Sequence, residues 1–225
     1  MKLFLFEIED NKQPFPTKLL DYISEERKQQ IEKYKHTDSK LCSLYAALLT
    51  RMVLCKEIHC SNDELVFSKT QKGKPILTSH PDWKFNFSHS GQMILLGIEK
   101  HQEIGIDIEK PRKYSESVVK KCLHPSELAL FQQLPDTHKE TAFFEFWTQK
   151  EAFSKQVGKG LSLSFETINT TDKSTKEQLY HWQYKEYICS VSAKKLPKHL
   201  PEVTTITQTE LEKYYLKSHS VMSNM

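Results

Sequence analysis

The chain has 225 residues, 38% apolar and 11% aromatic, enough for one sizeable core or two small ones. Its mean hydropathy of −0.59 and its lack of any apolar run of bilayer-spanning length speak against a membrane protein, and its opening residues turn acidic too soon for a signal peptide. The net charge of +3 is too even for a nucleic-acid footprint, and five scattered cysteines without a C-x-x-C pair point to reduced thiols in a cytoplasmic protein rather than zinc or disulfides.

In chain order, Lys2 to Ile8 reads as a short apolar strand, and Pro14 and Pro16 then break the chain. Ser24 is a suitable N-cap for a helix that opens on Glu25 and Glu26 and carries Arg27, Lys28, Lys33 and Lys35. A solvated face is the ordinary reading of those cations. Asp38 can cap a second helix, whose stripe of Leu41, Leu44, Tyr45, Leu48, Leu49 and Met52 follows the helical period and reads as core.

After Leu65-Val66-Phe67 comes a Gly73-Lys74-Pro75 turn. Trp83, Phe85 and Phe87 alternate into a strand that runs into Ser88-His89-Ser90-Gly91. That donor-rich corner suits phosphate oxygens and equally suits an ordinary turn. Met93 to Ile98 is a further strand, and the short link Lys100–Glu103 predicts an antiparallel hairpin with the stretch that follows.

That stretch, Ile104-Gly105-Ile106-Asp107-Ile108-Glu109, alternates strictly. As a strand it sends three isoleucines to a core and sets two carboxylates side by side, about 6.6 Å apart at ~3.3 Å of rise per residue. Gly105 leaves the start of the carboxylate row open to close approach. A half-buried strand with a merely charged outer face is the plainer alternative.

Tyr114 to Leu134 reads as helical segments interrupted at Pro125, restarting near His124 or Ser126. Its Val118, Val119, Cys122 and Leu123 suit either a docking patch or a core face. Glu140 to Val157 is the longest helix candidate, closed by Gly158-Lys159-Gly160. Leu161, Leu163 and Phe165 alternate as a strand would, as do Trp182 with Tyr184 and Ile188 with Ser190, and the tail from Glu210 is polar enough to fray. No repeat or linker divides the chain in sequence. The order of elements is α+β, with two sheets possible.

On the long helix, Trp147, Glu151 and Lys155 share a face. If Glu151 meets Asp107 and Glu109, three carboxylates repel unless a cation neutralises them, and all-oxygen ligation selects a hard ion such as Mg²⁺ with phosphates as further ligands. Lys74, His89, Lys155 and some of Arg27, Lys28 and Lys33 would meet those phosphates.

Together, Gly73-Lys74-Pro75, Asn86-Phe87-Ser88-His89-Ser90, Gly105-Ile106-Asp107-Ile108-Glu109 and Phe146-Trp147-Thr148-Gln149-Lys150-Glu151-Ala152, extended by Lys155 and Gly158-Lys159-Gly160-Leu161, resemble the motifs of Sfp-type 4′-phosphopantetheinyl transferases. The resemblance spans roughly residues 24 to 165. It implies a pseudo-dimer of two similar α/β subdomains, each a small mostly antiparallel sheet with packed helices. Residues 1–101 would carry coenzyme A nucleotide contacts, and 102–225 the metal carboxylates and the catalytic helix.

It also implies a monomeric, cytoplasmic enzyme that moves the 4′-phosphopantetheine arm of coenzyme A to a serine of apo acyl or peptidyl carrier proteins with Mg²⁺, releasing 3′,5′-ADP. Such enzymes are often linked to nonribosomal peptide and polyketide synthases, hence antibiotic biosynthesis. By position Asp107, Glu109 and Glu151 match the metal ligands. Lys74, Ser88 and His89 match the nucleotide contacts, His89 at the 3′-phosphate, and Lys28 lies near the early basic contacts. In one departure, Cys42 occupies the place of an early-helix arginine, with Lys40 two residues before it.

For the serine proton, Glu151 is the first choice, directly or through water, and Glu109 the second. Lys155 would neutralise the departing phosphate, and Lys150, roughly 100° around the helix from Glu151, would serve less directly. Competing readings are a non-catalytic module binding coenzyme A or carrier proteins and a Mg²⁺-dependent nuclease, the second disfavoured by the even charge.

Overall fold

In the first strand, β1 (Lys2–Glu7), alternation sends Leu3 and Leu5 to one face and Phe4 and Phe6 to the other, and all four are buried. Its sheet therefore needs cover on both sides, and the layering follows. In the computed structural model, which describes residues 1–9, 14–158 and 163–216, the remaining strands are β2 (Phe67–Lys69), β3 (Pro75–Leu77), β4 (Trp83–Ser90), β5 (Met93–Lys100), β6 (Ile104–Glu109), β7 (Leu179–Tyr184), β8 (Tyr187–Ala193) and β9 (Val203–Ile206). The helices are α1 (Glu25–Glu32), α2 (Thr37–Ile58), α3 (Glu116–Cys122), α4 (Pro125–Gln132), α5 (Asp136–Val157), α6 (Lys173–Lys176) and α7 (Gln208–Leu216).

The first sheet has the order β4-β5-β1-β9 and the second β6-β8-β7, with β2 and β3 forming a small separate pair. On one face of the first sheet, Phe4, Phe6, Phe85, Leu96 and Ile98 meet the α2 stripe, whose six predicted members are all buried. On the other face, Leu3, Leu5, Met93 and Leu95 meet Ile104, Ile106, Ile108, Cys189 and Val191 of the second sheet. Helix α5 covers the far side of β6 and β8. The result is α+β, in layers running α2, sheet, sheet, α5.

Each half repeats one plan that no sequence periodicity betrays. Strand, 22-residue helix, strand, strand gives β1, α2, β4, β5 in the first half and β6, α5, β7, β8 in the second. In both, the first strand pairs antiparallel with the third, giving β1-β5-β4 and β6-β8-β7. Residues 203–216 then return to the first half, where β9 pairs parallel with β1 and α7 packs on α2.

Several expectations are corrected. β5 and β6 do not form a hairpin, because β4 and β1 already occupy both edges of β5. The chain turns at His101, in the left-handed region (φ 74°), and β6 lies against the face of the first sheet instead. Ile104 and Ile106 fill the space beside Gly97, where a Cβ would stand 2.8 Å from Ile104 Cδ1. Ser88 to Ser90 are strand residues paired with Leu95 to Met93, so the corner lies at Gly91 and Gln92.

Asp38 sits in the first turn of α2, while His36 holds the N-cap position, whereas Ser24 does cap α1 by accepting from the Arg27 amide. Phe165 begins a 3-10 turn rather than ending a strand, and Leu161, Lys159 and Gly160 lie outside the described residues. The tail from Glu210 to Leu216 belongs to α7, with Leu211 and Tyr215 buried and the Tyr215 hydroxyl donating to Leu48 O, 2.7 Å away.

Gly105 decides how closely α5 approaches β6. A Cβ there would lie 2.0 Å from Ala152 O and 2.4 Å from Gln156 N, both backbone atoms of α5. Gly105→Ala is expected to lower folding stability by about 3 kcal/mol or more, since neither backbone can yield locally. Urea unfolding of the two proteins measures it; a loss under about 1 kcal/mol would show that the helix is free to move away.

Candidate active site

β4 is an edge strand, and its inner face carries three polar residues, Asn86, Ser88 and Ser90, at alternate positions. Each meets β6. The Ile106 amide donates to Asn86 Oδ1 at 2.8 Å, Ser88 Oγ donates to Asp107 Oδ1 at 2.7 Å, and Ser90 Oγ donates to Glu109 Oε2 at 2.9 Å. Ser90 Oγ also accepts from the Lys110 amide. The motif around His89 thus fastens the two halves together beside the carboxylate row.

From the other side, the close seat of α5 on Gly105 brings Lys155 to Asp107. Its amine lies 2.6 Å from Asp107 Oδ1 and 3.2 Å from Ser88 Oγ. Asp107 is buried, and its second oxygen, Oδ2, is buried with no hydrogen-bond partner among the described residues. Burial holds the Asp107 carboxyl above the usual carboxylate range, against the pull of Lys155. Glu151 is raised likewise, first by burial and then by the charges of Asp107 and Glu109. Structure and electrostatics thus bring Asp107, Glu109, Glu151, Lys155 and Ser88 together.

These carboxylates do not form a ready-made metal cluster. Among the described residues no three His, Cys, Asp or Glu side chains are arranged to hold a metal ion. Cations of the chain stand on the oxygens instead: Lys155 on Asp107, and Arg112, whose Nη1 is 2.6 Å from Glu109 Oε2. The Arg112 guanidinium also lies over the Phe144 ring, 5.2 Å from its centroid. Sequence reasoning missed Arg112, because it lies in an irregular segment after β6 where its spacing from Glu109 carries no signal.

The other predicted residues fall into two groups. His89 is exposed, on the same face of β4 as Phe85 and Phe87, and its imidazole is pushed below its ordinary pKa by partial desolvation and then by the positive charge of Lys155. Arg27 lies over Phe87, 5.6 Å from the ring centroid, and lines a cleft with Phe67, Pro75, Phe85 and Phe87. The cleft lies across β4 from Ser88 and Asp107. Lys28 is turned to Glu25 at 3.4 Å, so Arg27 is the cation that α1 offers to this region. Lys74 sends its amine to Glu103 Oε2 (2.6 Å) and to the backbone carbonyl of Lys155 (2.9 Å).

Cys42 is buried, its thiol pushed up to about 11 by desolvation, and its Sγ lies 3.5 Å from Gly91 O. Val119, Cys122 and Leu123 belong to the core under α5, leaving Val118 the exposed member of the supposed docking patch.

Lys150 has no part in this cluster. It is fully buried, 2.6 Å from the equally buried Glu127, and donates to Phe165 O and Ile168 O. Glu127 in turn accepts from Thr170 and from the His124 amide. In the first half Arg51, at the same step of α2, bonds Asn62 O. Each long helix therefore uses one buried cation to hold the turn that follows it.

Comparison with known proteins agrees with this layout. A family model described as the 4′-phosphopantetheinyl transferase superfamily matches residues 103–208, and one described as 4′-phosphopantetheinyl transferase, N-terminal, matches residues 12–101. The chain is 30% identical over 152 residues to 4′-phosphopantetheinyl transferase Sfp of Bacillus subtilis (strain 168), covering 68% of this chain and 67% of that protein. It is 29% identical over 164 residues to 4′-phosphopantetheinyl transferase gsp of Aneurinibacillus migulanus, covering 73% and 68%. Against 4′-phosphopantetheinyl transferase HetI of Nostoc sp. (strain PCC 7120 / SAG 25.82 / UTEX 2576) the identity is 34% over 119 residues, about half of each chain.

Two substitutions separate the electrostatic cluster from the structural one. A carboxyl raised by burial and like charge weakens the fold when ionised, so Glu151→Gln is expected to raise the metal-free melting temperature at neutral pH by about 2–4 °C, the equivalent of ~1 kcal/mol. A lowered melting temperature would contradict the charge crowding. Lys150→Met strands a buried carboxylate and is expected to cost about 3–5 kcal/mol. Adding Glu127→Leu should recover part of that loss in the same urea titration, the remainder reflecting the donors of His124 and Thr170.

Proposed function

The chain belongs to the 4′-phosphopantetheinyl transferase superfamily and is an enzyme of that kind, and from this premise we propose that it transfers phosphopantetheine from coenzyme A to a serine hydroxyl of apo carrier proteins, with Mg²⁺, releasing 3′,5′-ADP. The observation that supports the reading is the meeting of β6 and α5, where Lys155 and Ser88 bond Asp107 Oδ1, the charge of Asp107 acts on Glu151, and the second Asp107 oxygen, Oδ2, is buried without a partner among the described residues. The orphaned Oδ2 of Asp107 and the crowding of Glu151 by two neighbouring carboxylates fit a donor set short of positive charge. Its all-oxygen chemistry suits a hard divalent ion.

Asp107, Glu109 and Glu151 would hold that ion. Once bound, it supplies positive charge that polarises the diphosphate of coenzyme A. Lys155 and Arg112, which neutralise Asp107 and Glu109 within the chain, would then be free to turn toward phosphate oxygens. Ser88 and His89, with the cation of α1 (Arg27 by its position over Phe87, Lys28 by the resemblance), would face the nucleotide.

The serine oxygen forms its bond to the β-phosphorus as the bond from that phosphorus to the 3′,5′-ADP oxygen breaks. Glu151, directly or through a water, takes the serine proton. Lys155, one turn away on α5, meets the charge that develops on the departing phosphate.

In this reading residues 1–101 supply nucleotide contacts and residues 102–225 the ion and the chemistry. The enzyme works as a cytoplasmic monomer, and its carriers belong to nonribosomal peptide or polyketide synthases and so to antibiotic biosynthesis. Incubation with coenzyme A, Mg²⁺ and a panel of apo carrier proteins should add the phosphopantetheine mass to a carrier, and a chelator should prevent it. Glu151→Ala should abolish transfer, by about a hundredfold or more, while circular dichroism stays unchanged. A folded, fully active variant would remove Glu151 from this role; nucleic-acid cleavage without carrier modification would overturn the whole reading.

A further inference from the structure

Glu103 belongs to none of the motifs, yet it meets Lys74 at the boundary between the two halves. The Gly73-Lys74-Pro75 turn is held by its own bonds: the Thr70 amide donates to Lys74 O at 2.9 Å, the Gly73 amide to Thr70 O at 2.8 Å, and Gly73 takes φ +81°. From this turn the Lys74 amine, 14% exposed, reaches two acceptors in the second half. One is Glu103 Oε2 at 2.6 Å, in the β5–β6 link, where Lys84 lies 3.7 Å from the other carboxylate oxygen. The other is the backbone carbonyl of Lys155 at 2.9 Å.

That carbonyl is in the last turn of α5, where it also accepts from the Gly158 amide at 3.3 Å, and the partial negative charge of a helix C-terminus favours an ammonium as a second donor. Lys155 is also the residue whose amine stands 2.6 Å from Asp107. A continuous line of contacts therefore runs from Glu103 through the Lys74 amine and the Lys155 backbone to the Lys155 amine and Asp107.

We propose that Glu103 and Lys74 form a clip between the halves that fixes the end of α5, and that both are positioning residues for Lys155. This rests on the transfer reaction proposed above, and it gives Lys74 a task other than contact with the nucleotide. Glu103 steers the Lys74 amine, and Lys74 holds the helix end at the depth where Lys155 spans Asp107 and Ser88.

Kinetics and hydrogen exchange test the clip together. Lys74→Met is expected to lower kcat about tenfold with the KM for coenzyme A within about twofold, since a misplaced group loses rate rather than affinity. Glu103→Gln should lower kcat about threefold, and the double variant should be no worse than Lys74→Met alone, because the two act through one contact. Lys74→Arg should recover most of the rate. In the apo protein, amides of residues 153–157 should exchange about tenfold faster in both single variants than in the wild type.

A raised KM with unchanged kcat in Lys74→Met would make it a nucleotide contact and overturn the clip. So would multiplicative losses in the double variant, or unchanged exchange. If the wild-type protein modifies no carrier, the transferase reading fails, and the exchange comparison alone decides for or against the clip.

Discussion

The contact between the backbone of α5 and the bare Cα of Gly105 is the constraint on which the rest of the site depends. Helices and sheets ordinarily pack through side chains, about 10 Å apart; here one missing Cβ lets Ala152 O and Gln156 N sit directly on the strand. Glu151 and Lys155 each immediately precede one of those two contact residues in sequence, so the approach that brings the backbone in also brings an acid and a cation toward Asp107. The buried charge that results is unfavourable by itself, as the raised pKa values of Asp107 and Glu151 record. It is tolerated because the hydroxyls of β4, Lys155 and Arg112 each answer part of it.

The repeated plan explains why only one half carries this chemistry. In the first strand of each half, one parity faces the core between the sheets: Leu3 and Leu5 in β1, Ile104 and Ile106 in β6. The opposite parity faces the long helix. There β1 has Phe4 and Phe6, and Phe6 packs against Tyr45 of α2 with ring centroids 5.2 Å apart. β6 has Gly105 and Asp107 in those places. Aromatic bulk in the first half builds core, while its removal in the second lets a helix in and leaves space for charge. The buried cations Arg51 and Lys150 keep their common structural task in both halves.

Much of this was legible in the residues. The isoleucine alternation of Ile104–Glu109 fixed its strand and its faces, and the α2 stripe fixed a core helix, because period and burial agree along each segment. What escaped was decided by neighbours distant in sequence. The supposed β5–β6 hairpin fails because β1, a hundred residues earlier, already holds the free edge of β5. Phe165, at the end of the apolar alternation, packs against Trp147 from a 3-10 turn rather than from a strand. Helical spacing sets Lys155 on the face of Glu151 and Lys150 roughly 100° away from it, but it does not name their partners. Only the rotation of α5, set by Gly105, turns one to Glu127 and the other to Asp107. The choice between Arg27 and Lys28 likewise depends on which side of α1 faces Phe87.

The return of β9 and α7 to the first half has a consequence for the order in which the molecule can be made. The strands and helix of the second half lie within one continuous stretch and can find one another as soon as that stretch leaves the ribosome. The first half, although synthesised earlier, has an edge of β1 and a flank of α2 that, among the described residues, β9 and α7 cover. Until they emerge, Phe4, Phe6 and Tyr45 wait beside an incomplete core, and the parallel pairing of β1 with β9 closes a loop of nearly the whole chain. The half made first is therefore the half finished last, and the last link in assembly lies far from the site it helps to support.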